Sequence, residues 1–191
     1  MQQSVHSDYL RRQAMENHLT LAIPEYAFAE VDGGLQRRLS EQKHQLQGMN
    51  AFANELLRRR DTQQQARFLK EILPTIQETL QTTLDTLKAQ LADTMQVCEV
   101  IPLNFEIFRR GRLRSLSSSP PEDETDCYIF ESVLAFLREH EKEYDLKLFL
   151  CHDQKHFDEP TIHHELTALS AKLVFSSAEC IQTIRAYLPE K

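Results

Sequence analysis

At 191 residues the chain is long enough to bury one sizeable core with an elaboration attached to it. Its 41% hydrophobic and 27% charged residues are those of a globular protein, and no segment approaches the ~20 apolar residues of a membrane span. A net charge of −7 argues against a passive nucleic-acid coat, although a carboxylate cluster built for cations carries negative charge itself. Residues 1–10 are polar and hold no apolar signal core, so a cytoplasmic location is the expectation. The four cysteines, Cys98, Cys127, Cys151 and Cys180, form no CxxC pair and are expected as reduced thiols.

Taken in chain order, the first segment predicts a helix capped by Ser7, with Leu10, Ala14 and Leu19 on its apolar side. The run Leu19-Thr20-Leu21-Ala22-Ile23, closed by Pro24, predicts a buried strand leading into a helix from Glu25. No glycine lies between Gly48 and Gly111, and that stretch is rich in good helix formers. Leu35, Leu39, Leu46, Met49, Ala53 and Leu56 make one apolar stripe, interrupted at Gln42. Leu69, Ile72, Ile76, Leu80, Leu84, Leu87 and Leu91 make a second, with Pro74 near its start expected to begin or kink that helix. The charged segment Arg58-Arg59-Arg60-Asp61 between them predicts an antiparallel helical pair over about 35–95. Such a pair can bury its stripes internally or present them to a partner.

Beyond the pair, Val97 to Leu103 predicts a strand, followed by a helix through Glu106 to about Leu116. Ser117 to Glu124 is a loop by composition. A helix is expected from about Thr125, as its cap, to Glu141, with Ile129, Val133, Leu134, Phe136 and Leu137 on its apolar side. Leu146 to Cys151 is the clearest buried strand, and Lys172 to Phe175 a last short one, after which Ser176 or Ser177 caps the closing helix. Continuously apolar strands separated by helices imply a parallel sheet covered on both faces, an α/β class with a helical insertion.

Open parallel sheets bind ligands beyond the carboxyl ends of their strands. Asp153 follows the strand that ends at Cys151, and Asp126 falls in the first turn of its helix, at the same end of the sheet. Each has a plain structural reading, Asp126 as an acid complementing the helix dipole and Asp153 as a turn former. The segments EVIPLNFEIFRRGRLRSLSSSPPEDETDCYIFESVLAFL and KLFLCHDQKHFD together resemble the PIN-like domains, in particular a longer bacterial group with a helical insertion. The resemblance implies one three-layer PIN-like domain over 1–191, a parallel sheet flanked by helices with the helical hairpin 35–95 inserted within it. It further implies that Asp126 and Asp153 are acids of a metal site, and that Phe157 is an aromatic packed behind it. In LAIPEYAFAEV the position matching a further site acid is Glu30. Around Asp126 the neighbouring acids Glu122, Asp123 and Glu124 compete for the register; Asp126 is preferred because the uninterrupted apolar helix starts directly after it.

One departure counts against full activity. PIN-like domains open with a central strand ending in Asp, and MQQSVHSDYLRRQAMENH contains no such strand. Asp8 lies in a helical segment, so either the opening strand has been lost or the true start lies upstream of Met1. The implied activity is Mg²⁺- or Mn²⁺-dependent hydrolysis of RNA phosphodiesters, impaired by the missing acid. The alternative is a catalytically inactive PIN-like module that binds nucleic acid or a protein such as an antitoxin. Catalysis and metal binding fall to Glu30, Asp126 and Asp153, with Asp158 as outer support or a solvated turn acid. Arg109, Arg110, Arg112 and Arg114 form a basic cluster that can meet phosphates or simply face solvent. His163-His164-Glu165 and the pair His152/His156 lack HExxH or CxxC company and are expected as surface or capping residues.

Overall fold

The computed structural model describes residues 2–188, with side chains from His6 on. Helices α1 (Gln2–Met15), α2 (Glu25–Leu57), α3 (Gln63–Val97), α4 (Phe105–Leu116), α5 (Glu124–Glu139), α6 (Gln154–Phe157), α7 (Pro160–Ala168) and α8 (Ser177–Tyr187) are interspersed with short strands. The strands are β1 (Ala22–Pro24), β2 (Glu99–Ile101), β3 (Lys147–Leu150) and β4 (Ala171–Val174). They pair only two by two, β1 parallel to β2 and β3 parallel to β4. The molecule is therefore helix-rich with two small parallel sheets, where the sequence suggested one. Residues 2–15 are helical, so among the described residues no strand joins the two pairs.

Two compact units can be separated: residues 1–28 with 95–191, and residues 29–94. In the first, β3 and β4 carry the core. Phe149 and Leu173 point to one face, where Phe130, Val133, Leu134 and Leu137 of α5 meet Phe157, Ile162 and Leu166. Leu148, Leu150 and Val174 point to the other, against Leu10 of α1 and Cys180, Ile181 and Ile184 of α8. That alternation is what extended chain requires, since successive side chains leave opposite faces. Helices thus cover both faces of this pair.

Caps follow the local chemistry. Asn104 accepts the Ile107 N–H at 2.9 Å to start α4, and Ser176 accepts the Glu179 N–H at 3.1 Å to start α8. Ser7 is not a cap: α1 begins five residues earlier and carries Ser7 inside it. α4 lies close along α5 because residue 111 has no side chain. A Cβ there would sit 3.1 Å from the Tyr128 Cα and closer still to its ring. Tyr128 in turn stacks on Phe108, centroids 5.2 Å apart.

The second unit is a helical hairpin. α2 and α3 are joined through a one-turn 3-10 segment at Arg60–Thr62, where Thr62 donates to the Leu56 carbonyl at 2.8 Å. Ala53 and Ala66 are fully buried, and Leu39 and Leu46 of α2 share a groove with Leu73, Leu80 and Leu84 of α3. Pro74 does not begin α3 but lies inside it, eleven residues after its start.

Candidate metal centre

Asp126 owes its position to the cap before it. Asp123 is the N-cap of α5, its carboxylate accepting the Thr125 N–H at 2.8 Å and the Asp126 N–H at 3.4 Å. The cap is therefore Asp123 and not Thr125, since a carboxylate at that point reaches the free N–H groups of the first turn. Glu124 is engaged elsewhere, with Arg112 at 2.6 Å and with the Tyr128 hydroxyl, which donates to it. Glu122 is exposed. Of these four acids Asp126 is the one that turns toward α6.

Asp153 stands three residues beyond β3 and caps the single turn of α6, its Oδ1 accepting the His156 N–H at 3.3 Å. Its Oδ2 lies 3.1 Å from His156 Nδ1, and Asp126 Oδ2 lies 3.1 Å from the same nitrogen. One ligand atom from each of the three residues falls within 4.8 Å of the others. Side-chain exposure is 19% for Asp126, 35% for His156 and 46% for Asp153, so the group has a buried side and an open one. Burial pushes the Asp126 carboxyl above the usual range, the Asp123 charge adds to this, and His156 partly offsets it. Phe157, 2% exposed, wedges edge-on against Phe130 and Phe149 and anchors the α6 turn from behind.

Comparison with known proteins bears on the same residues. A family model described as PIN domain matches residues 2–157, a span that ends just past this group and includes the helical hairpin. The chain belongs to the PIN domain family. At the family level this supports a nuclease-like function and the general use of divalent metals by such domains. No curated protein and no solved structure matches the chain.

The donor set fits a divalent cation of the kind used by PIN domains. Two carboxylates supply hard oxygen ligands and two negative charges, and an imidazole is accepted by Mn²⁺ and later transition ions. Among the described residues, none of the four strands precedes β1 to carry the opening acid of the PIN pattern. Asp8 is a helical residue, exposed and 3.9 Å from Arg11.

The remaining residues singled out from the sequence are placed as follows. Glu30 lies in the second turn of α2, exposed, within the helical unit. Asp158 closes α6, with one oxygen 2.9 Å from His163 Nε2 and the other accepting from Gln154 at 3.1 Å, and the His163 contact lowers its carboxyl below the usual range. Arg109 and Arg110 both pair with Glu106, at 3.0 and 2.9 Å, and remain on the surface, as does Arg112. Arg114 is different. It is 10% exposed and donates to Glu131 at 2.8 Å, to both oxygens of Glu165 and to the Pro120 carbonyl at 2.7 Å, with its guanidinium 4.9 Å over the Phe130 ring.

His156, expected from the sequence as a surface or capping residue, lies between the two acids. It was grouped with His152, whose nitrogens instead lie 3.1 Å from the Phe175 carbonyl oxygen and 3.3 Å from the Ser177 hydroxyl. The available signal was Asp153 and His156 three apart on a helical turn, a spacing that puts both on one face.

Proposed function

We propose that the chain is a divalent-cation-dependent phosphodiester hydrolase of the PIN type acting on RNA, with Asp126 and Asp153 as the acids that hold the cation. The observation that carries this reading is the meeting of two carboxylates 27 positions apart at one imidazole nitrogen, beyond the end of β3. Burial already works against the charged form of Asp126, and a positive charge between it and Asp153 would favour that form. A bound cation would supply that charge, offset the charge developing on the phosphodiester and make a coordinated water more acidic.

The chain's own residues do the rest. Asp126 and Asp153 fix the cation's place, and the exposed side of Asp153 leaves room for a phosphate to approach. Phe157 keeps water out from behind. Glu30 is proposed as the third acid, and Asp158 as a support acting through the α6 turn it closes. Arg109, Arg110 and Arg112 are proposed as phosphate contacts, since they are on the surface with guanidinium donors to spare. Arg114 is proposed instead to fix the α4–α5 loop. The two strand pairs, helices against their faces, are read as parts of one three-layer PIN arrangement.

The test is cleavage of an unstructured RNA by purified protein across a Mn²⁺ titration. The expected result is slow, divalent-dependent cleavage that disappears in Asp126→Asn and in Asp153→Asn. Cleavage that persists equally in both variants contradicts the assignment. RNA or protein binding with no Mn²⁺-dependent cleavage supports the other reading, an inactive PIN module that binds nucleic acid or an antitoxin-like partner.

A further inference from the structure

We propose that His156 is a nitrogen ligand of the cation held by Asp126 and Asp153, giving the site a preference for Mn²⁺-type transition ions over Mg²⁺. The inference rests on the metal reading above and goes beyond it in naming the third donor and the selectivity it confers.

The geometry is that of neighbouring ligands around one ion. In an octahedral shell with ligands at ~2.1 Å, adjacent donor atoms stand about 3.0 Å apart. His156 Nδ1 is 3.1 Å from Asp126 Oδ2 and 3.1 Å from Asp153 Oδ2. One imidazole nitrogen thus occupies the corner common to both carboxylates, and the partly exposed side of the group leaves positions for waters or a phosphate.

The backbone of His156 is also held in place from two directions. The His156 backbone N–H donates to Asp153 Oδ1, which fixes the turn that carries the ring, and its neighbour Phe157 is locked between Phe130 and Phe149. A donor carried on a backbone already held by its turn loses less freedom when an ion arrives. A neutral imidazole beside two carboxylates leaves a charge of −2, which matches a divalent ion.

Nitrogen changes the choice of ion. Mg²⁺ binds oxygen and keeps its waters, whereas imidazole is a good donor to first-row transition ions, whose affinities rise from Mn²⁺ onward. A site with two oxygens and one nitrogen should therefore take Mn²⁺ in preference to Mg²⁺, and Co²⁺ more tightly still. The competing role is that of a protonated imidazole standing where the ion would go. The two roles give opposite results when the ring is removed: loss of a ligand weakens Mn²⁺ binding, and loss of a competing cation strengthens it.

The experiment is Mn²⁺ binding to the metal-stripped full chain, read by electron paramagnetic resonance, with ¹⁴N modulation of the bound-ion signal as the structural readout. Wild type should show directly coordinated ¹⁴N, absent in His156→Ala and in His156→Gln. The affinity advantage of Mn²⁺ over Mg²⁺ should fall by about tenfold or more in both variants, since loss of even an outer-shell partner costs that much. The wild-type ¹⁴N signal needs no variant to fold. Mn²⁺ binding that depends on Asp126 and Asp153 but shows no ¹⁴N coupling, or that tightens in His156→Ala, overturns the ligand role and leaves the hydrolase reading standing. Mn²⁺ binding that is absent, or indifferent to Asp126→Asn and Asp153→Asn, overturns both.

Discussion

Arg114 shows how much one side chain can decide. It satisfies two carboxylates and a loop carbonyl from a position 10% exposed, so its removal leaves Glu131, 7% exposed, as a buried charge without its cation. Arg114→Ala should destabilise the fold by about 3–5 kcal/mol, measured by urea unfolding. Arg112→Ala, in a half-exposed pair, should cost less than about 1 kcal/mol. A loss below 1 kcal/mol for Arg114→Ala would show that the buried network carries little. From the sequence, the four arginines looked alike. Part of their difference was written there, because Arg114 stands three and seven residues after the buried Gly111 and Ile107, a spacing to both that none of the other three arginines has. Glu106 is the opposite case, on the surface. Hydrogen bonds from Arg109 and Arg110 hold its carboxyl at about 2, below the ordinary 4.5. The folded value is depressed, so the contribution is complete above pH 4.5 and fades as pH falls toward 2. An NMR titration of the Glu106 carboxyl should find its midpoint near 2 and see it move up in Arg109→Ala; an unshifted midpoint in wild type contradicts the pairing.

Among the elements, the four strands and most helices were legible because each is a short apolar run or a 3.6-residue stripe bounded by a cap or proline. What could not be read was which strands pair. Runs such as VCEVIPL and LKLFLC state that a strand is buried without naming its neighbour, and here they join different pairs. The close passage of α4 over α5 was equally hidden, since Gly111 in a basic helix reads as a weak point in that helix and not as a contact. Gly111→Ala must push Cβ into Tyr128 backbone and ring, so it should lose about 1–3 kcal/mol despite Ala being the better helix former. Equal or higher thermal stability for Gly111→Ala would mean that the two helices have room to separate. At the start of α5, Asp123→Ala removes the cap and should cost about 1 kcal/mol by the same measurement.

At the level of the whole molecule, membership of the PIN family, the described strands and two of the three proposed acids lead to one place. Asp126 and Asp153 were readable in sequence because each follows a landmark, a loop-to-helix junction and a strand end. His156 was not, because a histidine gains its meaning from the carboxylate of another element, 30 positions away. Glu30 sits on the helical hairpin, and its part in the chemistry is a matter for mutation. If the acids share an ion, that ion should stabilise the entire fold by linkage, by about 2.7 kcal/mol at a hundred times Kd. The most direct measurement is calorimetric titration of Mn²⁺ into metal-free wild type, Asp126→Asn, Asp153→Asn and the double variant. One shared ion predicts a single site in wild type, a large loss in either single variant, and little further loss in the double. Independent and additive losses, or wild-type binding unchanged by either substitution, would contradict a common ion between Asp126 and Asp153.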